Sequence, residues 1–568
     1  MPDKGETRHK VIIIGLDGAT LDLIVPWARE GKLPAFQHII TEGTIGQLRS
    51  TIQPLTAPAW ISFMTGLNPG NHGIYDFIRR KSNSYDVELV YAGSLRRKSL
   101  WTMLSEQGKR VGVINVPMTY PPRPVNGFLI SGIDTPGLGS PFTYPSDLYD
   151  ELKRRVGEYI IAVSGNDAEE WAEGFRSMVR IRTDVFNYLR RHKPWDCLMV
   201  VYSATDMSQH VFWRNMEGLS CDNPSVEDLK YGNTIFEVYQ SVDQMLADLL
   251  EEVDDDTTIL IMSDHGAGPI KRAVYMNRWL EEQGWLVRRD TAQASALRSL
   301  SLRMTRGALR RALFAGKRYL PAQARGWLKR NLPGVRDSIE GFMLSSLLDW
   351  TRTKAFSVGS YGGIYLNLRG RDPQGIVDPG TEADKVYGQI AKELEDLRDP
   401  VTGDRVVEKV HRNHELYWGE YVDRAPDLIV QWQDYEYDCR QRFGTEETDV
   451  FSDELTFGDL QDRQTMSAVH RLQGTLMLHG ARARRGHRIE GAEIIDLAPT
   501  ILHLLGLPVP RSLDGKVLLE AFDQHYAASH PVAYVDDLPD DTGPAEGGYT
   551  DEESQVVSDR LRGLGYLQ

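Results

Sequence analysis

Three carboxylates and three imidazoles in this chain lie where short apolar runs end, a placement that suits the gathering of metal ligands. Asp17 follows VIIIGL, Asp206 follows CLMVVYSAT with His210 four residues on, and Asp264 and His265 follow TTILIMS. His470 lies in SAVHRLQG, just ahead of another apolar run. Oxygen and imidazole donors without thiolate suit zinc, manganese or iron in a catalytic setting. Thr56, in STIQPLTAPAWISFMTGLNPGNHGIYDF, adds a hydroxyl at the expected start of a helix, two residues before Pro58. A coordinated metal would activate that hydroxyl as a nucleophile near neutral pH, and the helix N-terminus would favour an anionic group beside it. Singly, each residue has a plainer role. A strand-end aspartate or Thr56 could cap a helix, Asp206 and His210 could be a surface i, i+4 pair, and His470 could be structural. Their joint occurrence in this order favours one shared site.

The elements that must position these residues read as a parallel sheet between helices. Short β-branched runs at Val11 to Leu16, Arg110 to Val116, Cys197 to Ser203 and Thr257 to Ser263 alternate with amphipathic stretches such as Trp171 to Arg191 and Ser225 to Val253. Ser225 is the expected N-cap of the second stretch. In such sheets the loops after the strand ends open into one crevice, so ligands from several strands converge there. Later runs at Ala355 to Leu368, Ala425 to Gln431 and Gly474 to Gly480 read as further strands, with a helix opening near Asp496. There is no internal repeat.

Residues 288 to 336 depart from the rest, with thirteen Lys or Arg against the single acid Asp290. They read as one or two basic amphipathic helices inserted in the main fold. Such a segment is either a solvated face covering the core or a cap that attracts an anionic substrate or rests on an anionic membrane, with Leu320, Trp327 and Leu328 as apolar anchors. The expected division is a catalytic domain over 1–287 and 351–525, a basic helical insertion over 288–350, and an acidic linker with a closing helix, Asp551 to Leu561, over 526–568.

Composition sets the outer limits. With 568 residues, 41% of them hydrophobic and 26% charged, the chain can bury a large core. A formal charge of −15 argues against nucleic acid as the main partner. Cys197, Cys221 and Cys439 form no CxxC pair, so neither a disulfide framework nor a thiolate zinc site is expected and a reducing compartment fits. The opening apolar run is shorter than the ~7 to 15 residues of a signal core, and no window approaches the ~20 of a membrane span, so the expected location is cytoplasmic.

GLDGA, PLTAPAWISFMTGLNPGNHGIYDF, TDMSQHVFW, SDHGAG and VHRLQG, in that order, resemble the alkaline phosphatase superfamily, in particular its type I phosphodiesterase and nucleotide pyrophosphatase branch. The resemblance runs from residue 11 to about 480. It implies an α/β fold, a central mostly parallel sheet sandwiched between helices with an inserted helical cap. It further implies two divalent metal ions, zinc before manganese or iron, one on Asp206, His210 and His470 and the other on Asp17, Asp264 and His265, with Thr56 as a further ligand that bridges or adjoins both. The implied reaction is in-line attack by Thr56 on phosphorus to give a phosphothreonine that water then opens, on a small-molecule or lipid-linked phosphoester.

One departure bears on specificity. The branch carries an asparagine soon after HGI that donates to a phosphate oxygen, whereas His72, Gly73 and Ile74 are here followed by Tyr75, Asp76 and Phe77. Asn115 either substitutes or is a turn residue. Sulfatases fit poorly, because threonine cannot form their aldehyde and Trp60 stands where they carry arginine; cofactor-independent phosphoglycerate mutases use serine, usually with manganese. GLDGAT carries an acid where a dinucleotide-binding loop needs glycine. The expected function is hydrolysis of phosphodiester or pyrophosphate bonds, with phosphotransfer to another acceptor or a non-catalytic binding role as the alternatives.

Overall fold

A computed structural model describes residues 9–165, 167–289, 347–441, 449–453, 455, 466–536 and 548–567. Almost all of the basic stretch, residues 290–346, lies outside them, as do 537–547 of the acidic linker.

A nine-stranded sheet forms the centre. Its strands are β1 Lys10–Leu16, β2 Thr44–Arg49, β3 Val111–Val116, β4 Gly127–Ser131, β5 Thr143–Tyr144, β6 Cys197–Tyr202, β7 Thr257–Met262, β8 Gln473–His479 and β9 His487–Glu493, in the spatial order β9-β2-β8-β7-β1-β6-β3-β4-β5. β1 pairs parallel with both β6 and β7, and β6 continues parallel into β3 and β4. β8 runs antiparallel between β7 and β2. Every residue of β3, β6 and β7 is buried, so both faces of the inner sheet are covered. That is why these strands read in the sequence as unbroken apolar runs rather than alternating ones.

The helices that matter for the site are α1 Thr56–Thr65, α2 Ala168–His192, α3 Ala204–Gly218, α4 Thr234–Glu252, α5 Leu497–Leu504 and α6 Asp551–Gly563. α2, α3 and α4 pack against one another, and α1 packs against α5. One hydrophobic core unites sheet and helices, from Val11 to Leu567. A second core, including Trp279, Phe356, Trp432 and Leu394, underlies a four-stranded sheet of Ala355–Ser357, Ile364–Leu366, Leu428–Trp432 and Val407–Arg412 with the helix Thr381–Glu395.

Three expectations change in detail. The stretch Ser225 to Val253 is two helices, because the chain turns at Gly232 and Asn233 between Val226–Tyr231 and α4. Ser225 does cap the first, in a reciprocal box with Asp228. The stretch Ala355 to Leu368 is a hairpin, folded back through a turn with Gly359, Tyr361 and Gly362 at positive φ. The strand expected from Ala425 runs over Leu428–Trp432, after a buried Ala425 that belongs to the preceding turn. Cys197, Cys221 and Cys439 are free thiols. No helix among the described residues is long and apolar enough to cross a membrane.

The HGI element is structural. His72 is fully enclosed, accepts from Ile74 N–H at Nδ1 (3.2 Å) and so donates from Nε2 to Ser62 Oγ (2.9 Å). Burial, helped by Arg97, lowers its pKa to about 3. Below pH ~6.5 the unfolded chain takes up this proton and the folded chain does not, so the contribution to stability falls between pH 6.5 and about 3. His72→Asn keeps an acceptor for Ile74 N–H and should flatten that part of the pH profile, read as Tm of the variant minus Tm of the wild type from pH 7 to 4.

Candidate active site

The strand ends deliver the site. β1 ends at Leu16, one residue before Asp17; β6 ends at Tyr202, and the first turn of α3 carries Asp206 with His210 one turn on; β7 ends at Met262, just before Asp264 and His265. Because β6, β1 and β7 are parallel neighbours, these ends lie side by side. His470 arrives on a separate ribbon, Ala468–Arg471 paired antiparallel to Gly266–Pro269, with Ala267 opposite His470. The rings of His265 and His470 stack with centroids 3.6 Å apart.

The plainer roles are taken by other residues. The helix after β1 is capped by Thr20, not Asp17. Thr56 is the first residue of α1, Leu55 holds the N-cap position, and no side-chain cap is made. The Thr56 hydroxyl instead lies 3.4 Å from His265 Nε2, wholly buried. Asp206 and His210 are buried as well, which removes the surface-pair reading.

The three histidines share one arrangement: His210 Nδ1 contacts Ala468 O at 2.8 Å, His470 Nδ1 contacts Pro54 O at 2.8 Å, and His265 Nδ1 contacts Gly266 O at 3.0 Å. A carbonyl only accepts, so each Nδ1 carries the hydrogen and each Nε2 offers a lone pair to the site. His210 Nε2 and His470 Nε2 face each other at 3.0 Å. Two ring nitrogens at that distance must share a proton or a cation between them.

The carboxylates make the same demand. Asp17 Oδ1, Asp206 Oδ1 and Asp264 Oδ2 are buried with no hydrogen-bond partner. His265 Nε2 is 3.6 Å from Asp17 Oδ1 and 3.3 Å from Asp264 Oδ2, while Asp206 Oδ2 is 3.3 Å from His210 Nε2 and its Oδ1 is 3.6 Å from His470 Nε2. Ligand atoms of Asp206, His210 and His470 lie within 4.8 Å of one another, as do those of Asp17, Asp206 and His265. Asp206 thus faces both groups. This donor set and its orphaned oxygens fit divalent-cation binding.

Electrostatics follow from the crowding. Burial, then Asp264 and Asp206, pushes the Asp17 carboxyl far above its ordinary range. Burial raises Asp264 too, with Asp206 adding and His265 opposing. For Asp206 burial works against ionisation, but His210 and His470 outweigh it and hold the carboxyl below its usual range. Burial, then His265, drives His470 well below the ordinary imidazole range.

Close approach is bought by Gly18, at φ +64°, where an added Cβ would lie 2.5 Å from Asp206 Oδ1. Its N–H donates to Asp264 Oδ1 at 3.2 Å. Gly18→Ala should therefore displace the Asp206 carboxylate. Disturbing groups that orient metal ligands typically costs about 10- to 100-fold in metal affinity or activity, so kcat/KM and metal retention against a chelator should both fall by that order.

The donors expected around the phosphate are differently employed. Asn115, at φ 63°, spends its amide hydrogens on Val201 O (3.1 Å) and Ser203 Oγ (3.2 Å), as a turn residue does. Asp76 accepts from Phe77 N–H and Ser360 N–H, and burial raises its pKa to about 6. Arg471 donates to Pro269 O at 2.9 Å and lies 3.7 Å from Glu436. One residue at the cluster, Tyr566, carried no sequence signal: its hydroxyl is 2.5 Å from Asp206 Oδ2.

A mostly parallel sheet carrying these acids and imidazoles at its strand ends is an α/β fold shared with a solved hydrolase. Residues 11–452 match the type I phosphodiesterase / nucleotide pyrophosphatase family, and the chain belongs to that family, which is metal-dependent. Phosphonoacetate hydrolase from Sinorhizobium meliloti 1021, solved in complex with phosphonoformate, is similar in structure at TM-score 0.50 and 14% identity, over 88% of this chain and 95% of that one. Murine ectonucleotide pyrophosphatase / phosphodiesterase 5 is similar at TM-score 0.48 and 13% identity, over 90% of this chain and 100% of that one. No curated protein sequence matches at a significant level.

Proposed function

We propose that this enzyme cleaves phosphodiester or pyrophosphate bonds in small or lipid-linked substrates, with Thr56 as nucleophile and two divalent cations, zinc foremost. The observation that carries this reading is the meeting of three inward-facing Nε2 atoms and three unpartnered carboxylate oxygens beside a buried threonine hydroxyl. Asp206, His210 and His470 would hold one cation, and Asp17, Asp264 and His265 the other. Bound there, the pair supplies Lewis acidity that lowers the pKa of the Thr56 hydroxyl and offsets charge on the phosphoryl oxygens.

The chain does the rest. α1 aims its N-terminus at the site, so its dipole favours negative charge at Thr56 and on a phosphoryl group beside it. Thr56 Oγ1 attacks phosphorus in line, the leaving oxygen departs from the opposite side, and water then opens the phosphothreonine. The three Nδ1–carbonyl bonds keep each imidazole from turning during the cycle. A cytoplasmic setting agrees with the three free thiols.

A diester should be preferred to the matching monoester, since Arg471, beside His470, is engaged with Pro269 O and Glu436 rather than free to balance a second phosphate charge. The test is a panel of diesters, monoesters and sulfate esters with metal analysis and an alcohol acceptor present. Two bound cations, a higher kcat/KM for diesters and products bearing water's oxygen are expected. Transfer mainly to the alcohol would move the assignment to a phosphotransferase, and active protein without metal would end it.

A further inference from the structure

Tyr566 lies beyond the family match, yet it reaches the centre of the site. The segment that brings it is firmly seated. α6 opens with a reciprocal box between Thr550 and Glu553, and Val557, Leu561, Leu564 and Leu567 are buried in the main core. Arg560 donates to Ile133 O (2.9 Å), Pro136 O (2.8 Å) and Thr135 O. Tyr549 stacks on Tyr120 at 5.6 Å and donates to Asp134 O at 2.8 Å. After α6 the chain turns at Gly565, φ +83°, which sends Tyr566 inward. Ser360 Oγ then donates to Tyr566 O at 3.0 Å, tying this turn to the smaller sheet's hairpin.

The Tyr566 side chain is 2% exposed, with its ring 5.9 Å from His470, 6.2 Å from His210 and 5.4 Å from Phe77. An ionised carboxylate only accepts, so the phenol donates to Asp206 Oδ2. Asp206 Oδ1 keeps no hydrogen-bond partner and remains open to the cluster. A carboxylate that faces both ligand groups would otherwise be free to rotate about χ2, a broad torsion. The phenol fixes it.

We propose that Tyr566 is a positioning residue for the metal centre, its hydroxyl locking the Asp206 carboxylate in the orientation that serves both ligand groups. The proposal rests on the two-cation reading above. Donors that orient metal ligands typically contribute about 10- to 100-fold in affinity.

The test is Tyr566→Phe in the full chain, which keeps the ring and its packing and removes only the O–H. Zinc affinity is measured by competition with a chromogenic chelator, beside Tm of the metal-free protein. The expected result is a 10- to 100-fold weaker affinity for at least one cation with little change in metal-free Tm. Leu564→Ala, which strips packing from the same turn and leaves the phenol, should lower Tm while holding affinity within about threefold. Wild-type protein that binds two zinc ions and a phenylalanine variant that holds them equally or more tightly would overturn the role of Tyr566 alone. Affinity lost equally in both variants would reduce Tyr566 to packing. Wild-type protein that binds no divalent cation would overturn the two-cation reading itself.

Discussion

Thr56→Ala is expected to lower kcat by about 10⁴-fold or more, the order found when a covalent nucleophile is removed, while bound metal stays at the wild-type level. The two effects separate because the hydroxyl adjoins the ligand cluster through His265 Nε2, at 3.4 Å, without being one of its acids or imidazoles. Alanine also suits the first turn of α1, where Thr56 makes no capping bond, so the helix should start at the same place. Steady-state turnover of a diester, metal content by atomic emission and circular dichroism together decide it. A variant within tenfold of wild type would remove Thr56 from the chemistry, and a variant that loses its metal would make it a ligand above all.

Asp206→Ala should have the broadest effect. This carboxylate lies 3.3 Å from His210 Nε2 and 3.6 Å from His470 Nε2, and it shares a second cluster with Asp17 and His265. Its loss leaves two imidazole lone pairs opposed at 3.0 Å with no anion to draw a cation between them. On the two-cation reading, bound metal should fall from two ions to one or none, and kcat/KM by at least about 10³-fold, since neutralisation of both the attacking and the leaving oxygen would depend on the pair. Retention of two ions with kcat/KM within tenfold of wild type would show that Asp206 is not a ligand.

What the sequence made legible follows from how each residue is held. Asp17, Asp206, Asp264 and His265 sit directly after buried parallel strands, and such strands announce themselves as short apolar runs, so both the sheet and the site could be placed. His470 was nameable only through its motif, because its ribbon, Ala468–Arg471, carries no periodicity of its own. The split at Gly232 and the hairpin at Ser360 leave Gly232–Asn233 and Gly359, Gly362 and Gly363 as their trace, short signals outweighed by the longer amphipathic and apolar runs on either side. Tyr566 could not have been found by any local rule. Its place depends on a helix box, a half-buried arginine and a turn, each ordinary alone, whose sum points one phenol at a carboxylate 360 positions earlier in the chain.

That separation governs when a nascent chain can become active. The bond between His470 Nδ1 and Pro54 O joins residues 416 positions apart, and Tyr566 follows later still. At about 5 to 20 residues per second of synthesis, Pro54 waits roughly 20 to 80 seconds before His470 exists. Once His265 is made, Asp17, Asp206, His210, Asp264 and His265 all precede the growing end, and roughly 10 to 40 seconds remain before His470 joins Asp206 and His210. An ion caught early would meet three carboxylates with the imidazoles of His210 and His265, and His470 would add the last nitrogen donor. If a cation is taken up before the chain is finished, slowing synthesis between the codons for His265 and His470 in manganese-rich medium should raise the fraction of protein carrying manganese.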